Sequence, residues 1–273
     1  MNFEMRKTVK ERCPLIHNIT NYVTVNDCAN VLLALGASPI MSDDKNEVRE
    51  ITSVCGGLNI NIGTLNERTI ESMIIAGRKA NELNHPVILD PVGAGASALR
   101  TDTALKLLNE LKISVIRGNI SEIKALAGIS ANAQGVDAGI ADKVTYENLD
   151  NTVGFLKEFS KKTGAIVAVT GAIDIVCNSE KAYIILNGHP LMSSVTGTGC
   201  MLSAITAAYI TANPDSMLEA TAMAVCTMGI AGEIAHKRLS QLDGNSSYRN
   251  YIIDAIYNMT VSQIKEGAKY EVR

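Results

Sequence analysis

Charged residues are sparse in this sequence, and none of them gather into a block of one sign. They make up 19 % of the 273 residues, and the formal net charge is −3. Proteins that bind nucleic acid through its phosphates need clustered Lys and Arg. The composition therefore argues against a nucleic-acid partner. Without a run of like charges, neither a charged tail nor a membrane-surface patch is predicted. A small molecule is the expected partner.

Long apolar runs and closely spaced cysteines are also missing. The chain has no run of 18 apolar residues, and the apolar stretch at 220–232 is too short and too rich in Thr to span a bilayer. The six cysteines include no C-x-x-C pair, which argues against a zinc site, and a disulfide framework is typical of short secreted chains. Residues 1–12 are charged and do not resemble a signal segment. We therefore expect a cytoplasmic protein with reduced thiols and no membrane association.

Several common catalytic motifs are absent as well. No Gly-Lys-Thr ending marks a Walker A loop, and no G-x-S-x-G elbow marks a serine hydrolase. A glycine stretch at 93–98 loosely matches the dinucleotide-binding pattern. However, Pro91 stands between strand and glycines, and the next predicted strand does not end in an acidic residue. A nicotinamide site is therefore disfavoured.

The hydrophobic pattern predicts an α/β fold. Short runs rich in Ile and Val alternate with segments of helical periodicity, and most of the predicted strands look apolar on both faces, as in a parallel sheet covered by helices. The predicted strands are 15–19, 39–41, 58–62, 87–89, 115–117, 166–170, 173–177 and 182–186. The predicted helices between them are 23–35, 68–83, 103–111 and 147–161.

The last third of the chain differs from the rest. Residues 173–186 are typical of a hairpin around Asn178-Ser179, so we predict an antiparallel edge on a mostly parallel sheet. After Gly199 the pattern is almost wholly helical, at 200–212, 216–237 and 247–267. With no linker composition and no internal repeat, the chain is predicted to be one domain, 1–273. Residues 130–145 are predicted to form a long loop.

The glycine-rich turn VTGTGC at 195–200 runs directly into an apolar helix. Glycines allow close approach of a ligand to the backbone, and the free N–H groups and dipole of a helix N-terminus attract anions. The alternative is an ordinary tight turn. Because the turn follows strands, opens a helix and carries threonines, we predict an anion hole formed by Gly197, Thr198, Gly199 and Cys200.

Four polar side chains follow or end predicted strands, where ligands of an open parallel sheet collect. Asp90 and Glu122 are candidate magnesium ligands, since Mg²⁺ is held by one or two carboxylates together with phosphate oxygens. A turn role for Asp90 and a helix-terminus role for Glu122 are equally compatible with the pattern. Arg117 lies at a predicted strand end in apolar surroundings, which indicates that it pairs with a carboxylate or a phosphate. Thr170 offers a hydroxyl at the same edge.

Taken together, seven segments resemble the hydroxyethylthiazole kinase family of the ribokinase-like superfamily. Their order and length match from about residue 13 to residue 210, which is more specific than any single motif. The segments are PLIHNITNYV (14–23), LLALGASPIMS (32–42), LNINIGTL (58–65), VILDPVGAGAS (87–97), VIRGNISEI (115–123), AVTG (168–171) and VTGTGCMLSA (195–204).

The resemblance implies phosphorylation of the hydroxyl of 4-methyl-5-(2-hydroxyethyl)thiazole by ATP and Mg²⁺. It also implies a homotrimer with active sites between subunits. Met41 and Gly197 match the family's substrate-contacting positions, and Arg117 and Thr170 match its ATP-contacting ones. The apolar edge at 39–41 suits a flat heterocycle better than a sugar. Segment 119–122 resembles the superfamily's N-x-x-E element, which governs magnesium placement, and Asp90 matches an acid near the same metal.

Cys200 stands where many ribokinase-like enzymes have an aspartate base, as it does in thiazole kinases. Because the N-terminus of a helix favours the thiolate, Cys200 is the candidate that orients or deprotonates the alcohol. Phosphoryl transfer depends mostly on positioning and charge neutralisation, so a weak base is sufficient. The alternatives are a kinase of hydroxymethylpyrimidine or pyridoxal, an NAD(P)H-hydrate dehydratase, a nucleotide-binding regulator without catalysis and, least favoured, a dehydrogenase.

Overall fold

The fold is described here from a computed structural model that covers residues 1–129 and 143–273. Within these residues one sheet contains nine strands. Most of the predicted loop at 130–145 lies outside the described residues. The strands are β1 (Leu15–Ile19), β2 (Ser38–Met41), β3 (Gly57–Asn61), β4 (Val87–Asp90), β5 (Val115–Gly118), β6 (Ile166–Val169), β7 (Asp174–Cys177), β8 (Ala182–Ile185) and β9 (Tyr270–Val272).

The sheet order is β2-β1-β3-β4-β5-β6-β7-β8-β9. The pairs from β2 to β6 are parallel, and the last three pairs are antiparallel. The predicted parallel sheet with an antiparallel edge is therefore confirmed. Every residue of the central strands β3 and β4 is buried, so the two asparagines of β3, Asn59 and Asn61, lie inside the fold together with its apolar residues. Strand β9 was not predicted, since a three-residue strand leaves little periodic signal.

Helices cover both faces of the sheet and enclose two apolar cores. One core lies between the sheet and α2, α8, α9 and α10, and the other lies under α4, α5, α6 and α7. The described helices are α1 (Met5–Arg12), α2 (Val25–Leu35), α3 (Val48–Val54), α4 (Glu67–Glu82), α5 (Ala98–Glu110), α6 (Ile120–Leu126), α7 (Leu149–Thr163), α8 (Thr198–Ala212), α9 (Met217–Arg238), α10 (Asn245–Asn258) and α11 (Val261–Gly267).

The prediction of one continuous helix over 247–267 is wrong. The structure has two helices, α10 and α11, separated at Met259 and Thr260. Thr260 Oγ1 accepts a hydrogen bond from the backbone N–H of Gln263, and Gln263 Oε1 accepts one from the backbone N–H of Thr260. This reciprocal capping box begins a new helix, and the T-x-x-Q pattern at 260–263 is the sequence signal for it.

Helix α9 is long and apolar enough to be considered as a membrane span, and it is longer than the segment singled out from the sequence. However, 72 % of the apolar 18-residue stretch of this helix is buried inside the fold. It packs against α8 and α10 and contributes to the first apolar core. Burial against other helices accounts for its composition, as in the core helix of a globular protein.

Candidate active site

Polar side chains from four strands meet the start of α8 at one edge of the sheet. Asn61 and Asp90 end β3 and β4, and they are direct partners in the parallel register. Arg117 lies in β5 opposite Ala168 of β6, and Thr170 follows β6 by one residue. Because parallel strands end at the same edge of a sheet, these side chains converge there. The structure thus brings together Asp90, Arg117, Thr170 and the glycine-rich turn.

Asp90 is fully buried at the centre of this group. Its Oδ2 accepts hydrogen bonds from Asn61 Nδ2 at 2.8 Å and Ser203 Oγ at 2.7 Å, and it lies 3.6 Å from Arg117 Nη1. Its Oδ1 is buried with no hydrogen-bond partner. Burial raises the pKa of Asp90 to about 6, although Arg117 and Ser203 oppose the shift. An unpartnered buried carboxylate oxygen is strongly disfavoured, so this atom needs a proton, a water or a cation.

Arg117 links the two halves of the site. Its Nη1 faces Asp90, its Nη2 donates to Thr170 Oγ1, and only 12 % of its side chain is exposed. The guanidinium packs against the backbone of Gly199, where an added Cβ would lie 2.6 Å from Nη1. A side chain at position 199 would therefore displace the guanidinium. Arg117 and the first turn of α8 are close enough to act on one anionic ligand.

Gly197 precedes α8 and adopts a φ of +93°, in the left-handed region that favours glycine. A Cβ there would lie 2.5 Å from Thr24 Cγ2, so close packing against α2 requires glycine as well. Gly197 offers no side chain to cap the helix. The N–H groups of the first turn, at Thr198, Gly199 and Cys200, are thus left to bind an anion.

Cys200 is half-buried in that first turn. Two amide nitrogens approach its sulfur: Asn21 Nδ2 lies at 3.2 Å and Asn61 Nδ2 at 3.3 Å. Sequence analysis missed both asparagines. They stand in the quoted segments at 14–23 and 58–65, but asparagine in or beside an apolar strand carries no chemical signature of its own.

Glu122 holds together two turns of backbone. Its Oε1 accepts from the Gly93 N–H at 2.8 Å, and its Oε2 accepts from the Asn119 N–H at 2.8 Å. Asn119 in turn accepts from the N–H of Glu122, which completes a capping box at the start of α6. A cavity of about 680 Å³ lies beside this junction, and Gly93, Asn119 and Glu122 are among its lining residues.

Asp174 is a second carboxylate near Arg117 that sequence analysis did not single out. It begins β7 and accepts a hydrogen bond from the Gly171 N–H at 2.8 Å. Burial raises the pKa of Asp174 to about 7, and the Gly171 N–H and the charge of Arg117 partly oppose this. A carboxyl group that changes charge near neutral pH therefore lies in the surroundings of Arg117 and Thr170.

Met41 lies at the same edge, but to one side. It ends β2 in register with Asn18 of β1, so β1 separates it from Asn61. It is partly buried and packs on the same apolar core as Cys200. Met41 therefore adds apolar surface to the core against which Cys200 also packs.

Asp90 and Glu122 are the two candidate ligands for Mg²⁺. Among the residues that the structure describes, no group of three His, Cys, Asp or Glu side chains could enclose a metal ion. Mg²⁺ is commonly bound by one or two carboxylates with waters and substrate phosphates completing its shell. The unpartnered Oδ1 of Asp90 and the remaining lone pairs of Glu122 fit that kind of binding, in which the metal arrives with a nucleotide.

The sequence matches a known family along nearly its whole length. Residues 6–262 match the model of the hydroxyethylthiazole kinase family. A hydroxyethylthiazole kinase from Clostridium acetobutylicum is 66 % identical over 268 residues, which cover 98 % of both chains. Another from Clostridium tetani is 49 % identical and covers 96 % of this chain and 94 % of the relative.

Two solved structures resemble this fold, one at moderate and one at low sequence identity. A hydroxyethylthiazole kinase from Pyrococcus horikoshii superposes with a TM-score of 0.87 at 37 % identity, covering 99 % of this chain and 98 % of the other. A pyridoxal kinase from Staphylococcus aureus superposes with a TM-score of 0.60 at 15 % identity, covering 95 % and 97 %. The second likeness concerns the fold alone.

Proposed function

We propose that this chain, which belongs to the hydroxyethylthiazole kinase family, transfers the γ-phosphoryl group of ATP to the hydroxyl of 4-methyl-5-(2-hydroxyethyl)thiazole, in thiamine salvage. The observation that carries the proposal is the meeting of a buried acid, Asp90, with Arg117 and the open first turn of α8. The positive charge of Arg117 and the free N–H groups of the first turn are thus close enough to bind oxygens of one transferring phosphoryl group.

The nucleotide is assigned to the side of the site formed by β5 and β6. There Arg117 and Thr170 are joined by a hydrogen bond, and the guanidinium lies against Gly199. An arginine fork binds phosphate oxygens with directional hydrogen bonds. Mg²⁺, when bound, supplies neutralisation of the phosphate charge, and Asp90 and Glu122 are the side chains that would hold it, directly or through water.

The alcohol is assigned to the opposite side, between Met41, Gly197 and Cys200. The Cys200 thiolate accepts the hydroxyl proton as the alcohol oxygen bonds to the γ-phosphorus. The bond from that phosphorus to the bridging oxygen breaks, and ADP leaves. The N–H groups of Gly197, Thr198, Gly199 and Cys200 face the oxygens of the transferring group. Met41 adds an apolar surface suited to an uncharged ring.

A homotrimer with shared sites is part of the proposal, as are a cytoplasmic location and one domain spanning 1–273. Tyr22 and Val23 are 77 % and 58 % exposed, although they directly follow Asn21, whose amide reaches Cys200. Large apolar side chains left exposed beside a reaction centre favour cover by a neighbouring subunit. Sedimentation of the purified protein, compared with a Tyr22→Ser variant, measures whether this surface holds subunits together.

Acceptor-dependent release of ADP in the presence of Mg²⁺ tests the proposed reaction. Hydroxyethylthiazole, hydroxymethylpyrimidine and pyridoxal are compared with a blank that lacks an acceptor. Turnover only with the thiazole supports the proposal. Turnover with another ring alcohol would change the assigned substrate but not the mechanism. No ADP release with any of the three acceptors would overturn the assignment and favour a repair or regulatory role. A Cys200→Ser variant with full turnover would remove the proton-accepting role of the thiol.

A further inference from the structure

We propose that Asn21 and Asn61 are positioning residues that hold the sulfur of Cys200 as a hydrogen-bond acceptor facing the reaction centre. The inference deepens the proposed function, because its catalytic meaning rests on the role assigned to Cys200. Its structural basis is independent of that role. Two side-chain amides, from different segments of the chain, both approach one sulfur.

The orientation of the Asn61 amide is determined by its other partners. Its Oδ1 accepts from the backbone N–H of Gly63 at 2.9 Å, and a backbone N–H can only donate. The Nδ2 group must then face the other way, where it lies 2.8 Å from Asp90 Oδ2 and 3.3 Å from Cys200 Sγ. Both amide hydrogens are thus committed, one to the carboxylate and one to the sulfur.

The same reasoning determines the orientation of Asn21. Its Oδ1 accepts from the backbone N–H of Thr24 at 3.1 Å. Its Nδ2 group is therefore directed at Asn61 Oδ1, 2.9 Å away, and at Cys200 Sγ, 3.2 Å away. The two asparagines are thus hydrogen-bonded to each other, and both side chains are at least 96 % buried. Neither amide can therefore turn freely.

Two donors on one sulfur have a chemical consequence. Both nitrogens donate, so the sulfur must accept from each of them, and these hydrogen bonds strengthen when negative charge forms on it during a reaction. A thiol proton cannot point at either amide nitrogen, and it is left to face the open side of the site. In addition, Asn61 joins the sulfur to Asp90 through a single amide group. The network therefore fixes the position of the sulfur relative to the buried acid.

Single-atom substitutions test this arrangement. Asn21→Asp and Asn61→Asp keep the oxygen that accepts from Thr24 or Gly63, and they replace the donating NH₂ by an oxygen. The matched control is Asn59→Asp on the same strand. Asn59 is also fully buried, but its amide donates to Asn18 and not to the sulfur. Thermal midpoints of all three variants show whether each one folds.

The first readout is the rate at which iodoacetamide alkylates Cys200, followed by peptide mapping at one pH near 8. Only a thiolate reacts, so both test variants are expected to slow this alkylation at least fivefold, while Asn59→Asp does not. Equal rates in test and control variants would overturn the proposal. If Asn61→Asp fails to fold, Asn61→Leu and Asn59→Leu provide a second matched pair with the same expectation.

The second readout separates positioning from a general structural effect. Asn21→Asp and Asn61→Asp are expected to lower kcat at least tenfold with less than a threefold change in the KM for ATP. In a Cys200→Ser background the same substitutions are expected to have little further effect, since they act through the sulfur. An undiminished effect in that background would assign the loss to Asp90 instead. The alkylation result does not require turnover, so it stands or fails separately from the proposed reaction.

Discussion

The two acidic side chains at the site, Asp90 and Glu122, look alike in sequence but have different surroundings. Asp90 is fully buried, with one oxygen bonded to side chains and the other without a partner. Glu122 uses both oxygens to accept backbone N–H groups that join two turns. The first arrangement is costly without a cation or proton, whereas the second is stable by itself. Asp90 is therefore assigned the larger chemical role, whereas Glu122 mainly joins the two turns and offers a metal only its remaining lone pairs.

The largest expected effect comes from Asp90→Asn. Asparagine keeps the size of the side chain but removes the charge that faces Arg117 and the proposed metal. Turnover should fall roughly 10²- to 10³-fold, as for loss of a charged group that stabilises a transition state. Folding should be intact, which the thermal midpoint checks. Wild-type turnover in this variant would mean that Asp90 has no chemical role.

The second prediction concerns stability against pH in the absence of Mg²⁺. The pKa of Asp90 is raised by burial from 3.8 to about 6 in the folded protein. The folded state thus binds the proton more tightly than the unfolded state, so the contribution of Asp90 to stability falls as pH rises from about 4 to about 6. Relative to Asp90→Asn, the wild type should lose on the order of 3 kcal/mol across this window. Urea unfolding of both proteins from pH 4 to 8 measures the difference, and a constant difference would contradict the prediction.

The third prediction is that Glu122→Gln mainly lowers stability. Glutamine retains one acceptor oxygen and presents an NH₂ group to the other backbone N–H. One hydrogen bond is lost, and two donors then face each other at a partly exposed position. The expected cost is about 1 kcal/mol, and turnover should fall less than tenfold. Urea unfolding at pH 7 and kcat at saturating Mg²⁺ give the two values. If stability is unchanged while turnover collapses, Glu122 serves the metal and the contrast with Asp90 is wrong.

The sequence alone was sufficient to predict the strands that carry Asp90 and Arg117 and the turn before α8. These features depend on local patterns, which a single sequence displays. The pairing of Asn61 with Asp90 and the approach of Asn21 were not accessible in this way. They depend on β3 lying between β1 and β4 in the sheet and on α8 packing against the ends of these strands. Asp174 was missed because a polar residue at the start of a hairpin strand is common, and only its burial near Arg117 is informative.

The smallest expected effect comes from Ser203→Ala, which tests whether the neighbours of Asp90 tune its charge. Ser203 Oγ donates to Asp90 Oδ2 at 2.7 Å and lowers the pKa of that carboxyl group. Without this donor the charged form of Asp90 is less favoured. The variant should therefore lose about 1 kcal/mol of stability above pH 7, and less near pH 4, where Asp90 is protonated in either protein.

Thr206→Val is the matched control for Ser203→Ala. Thr206 is also fully buried on α8, and its hydroxyl donates to the backbone carbonyl of Leu202 in place of Asp90. Its effect on the free energy of unfolding should be the same at pH 4 and pH 8. A pH-dependent loss confined to Ser203→Ala would show that the Asp90 carboxylate is held by side-chain donors. An equal loss at both pH values would mean that Ser203, like Glu122, serves the scaffold.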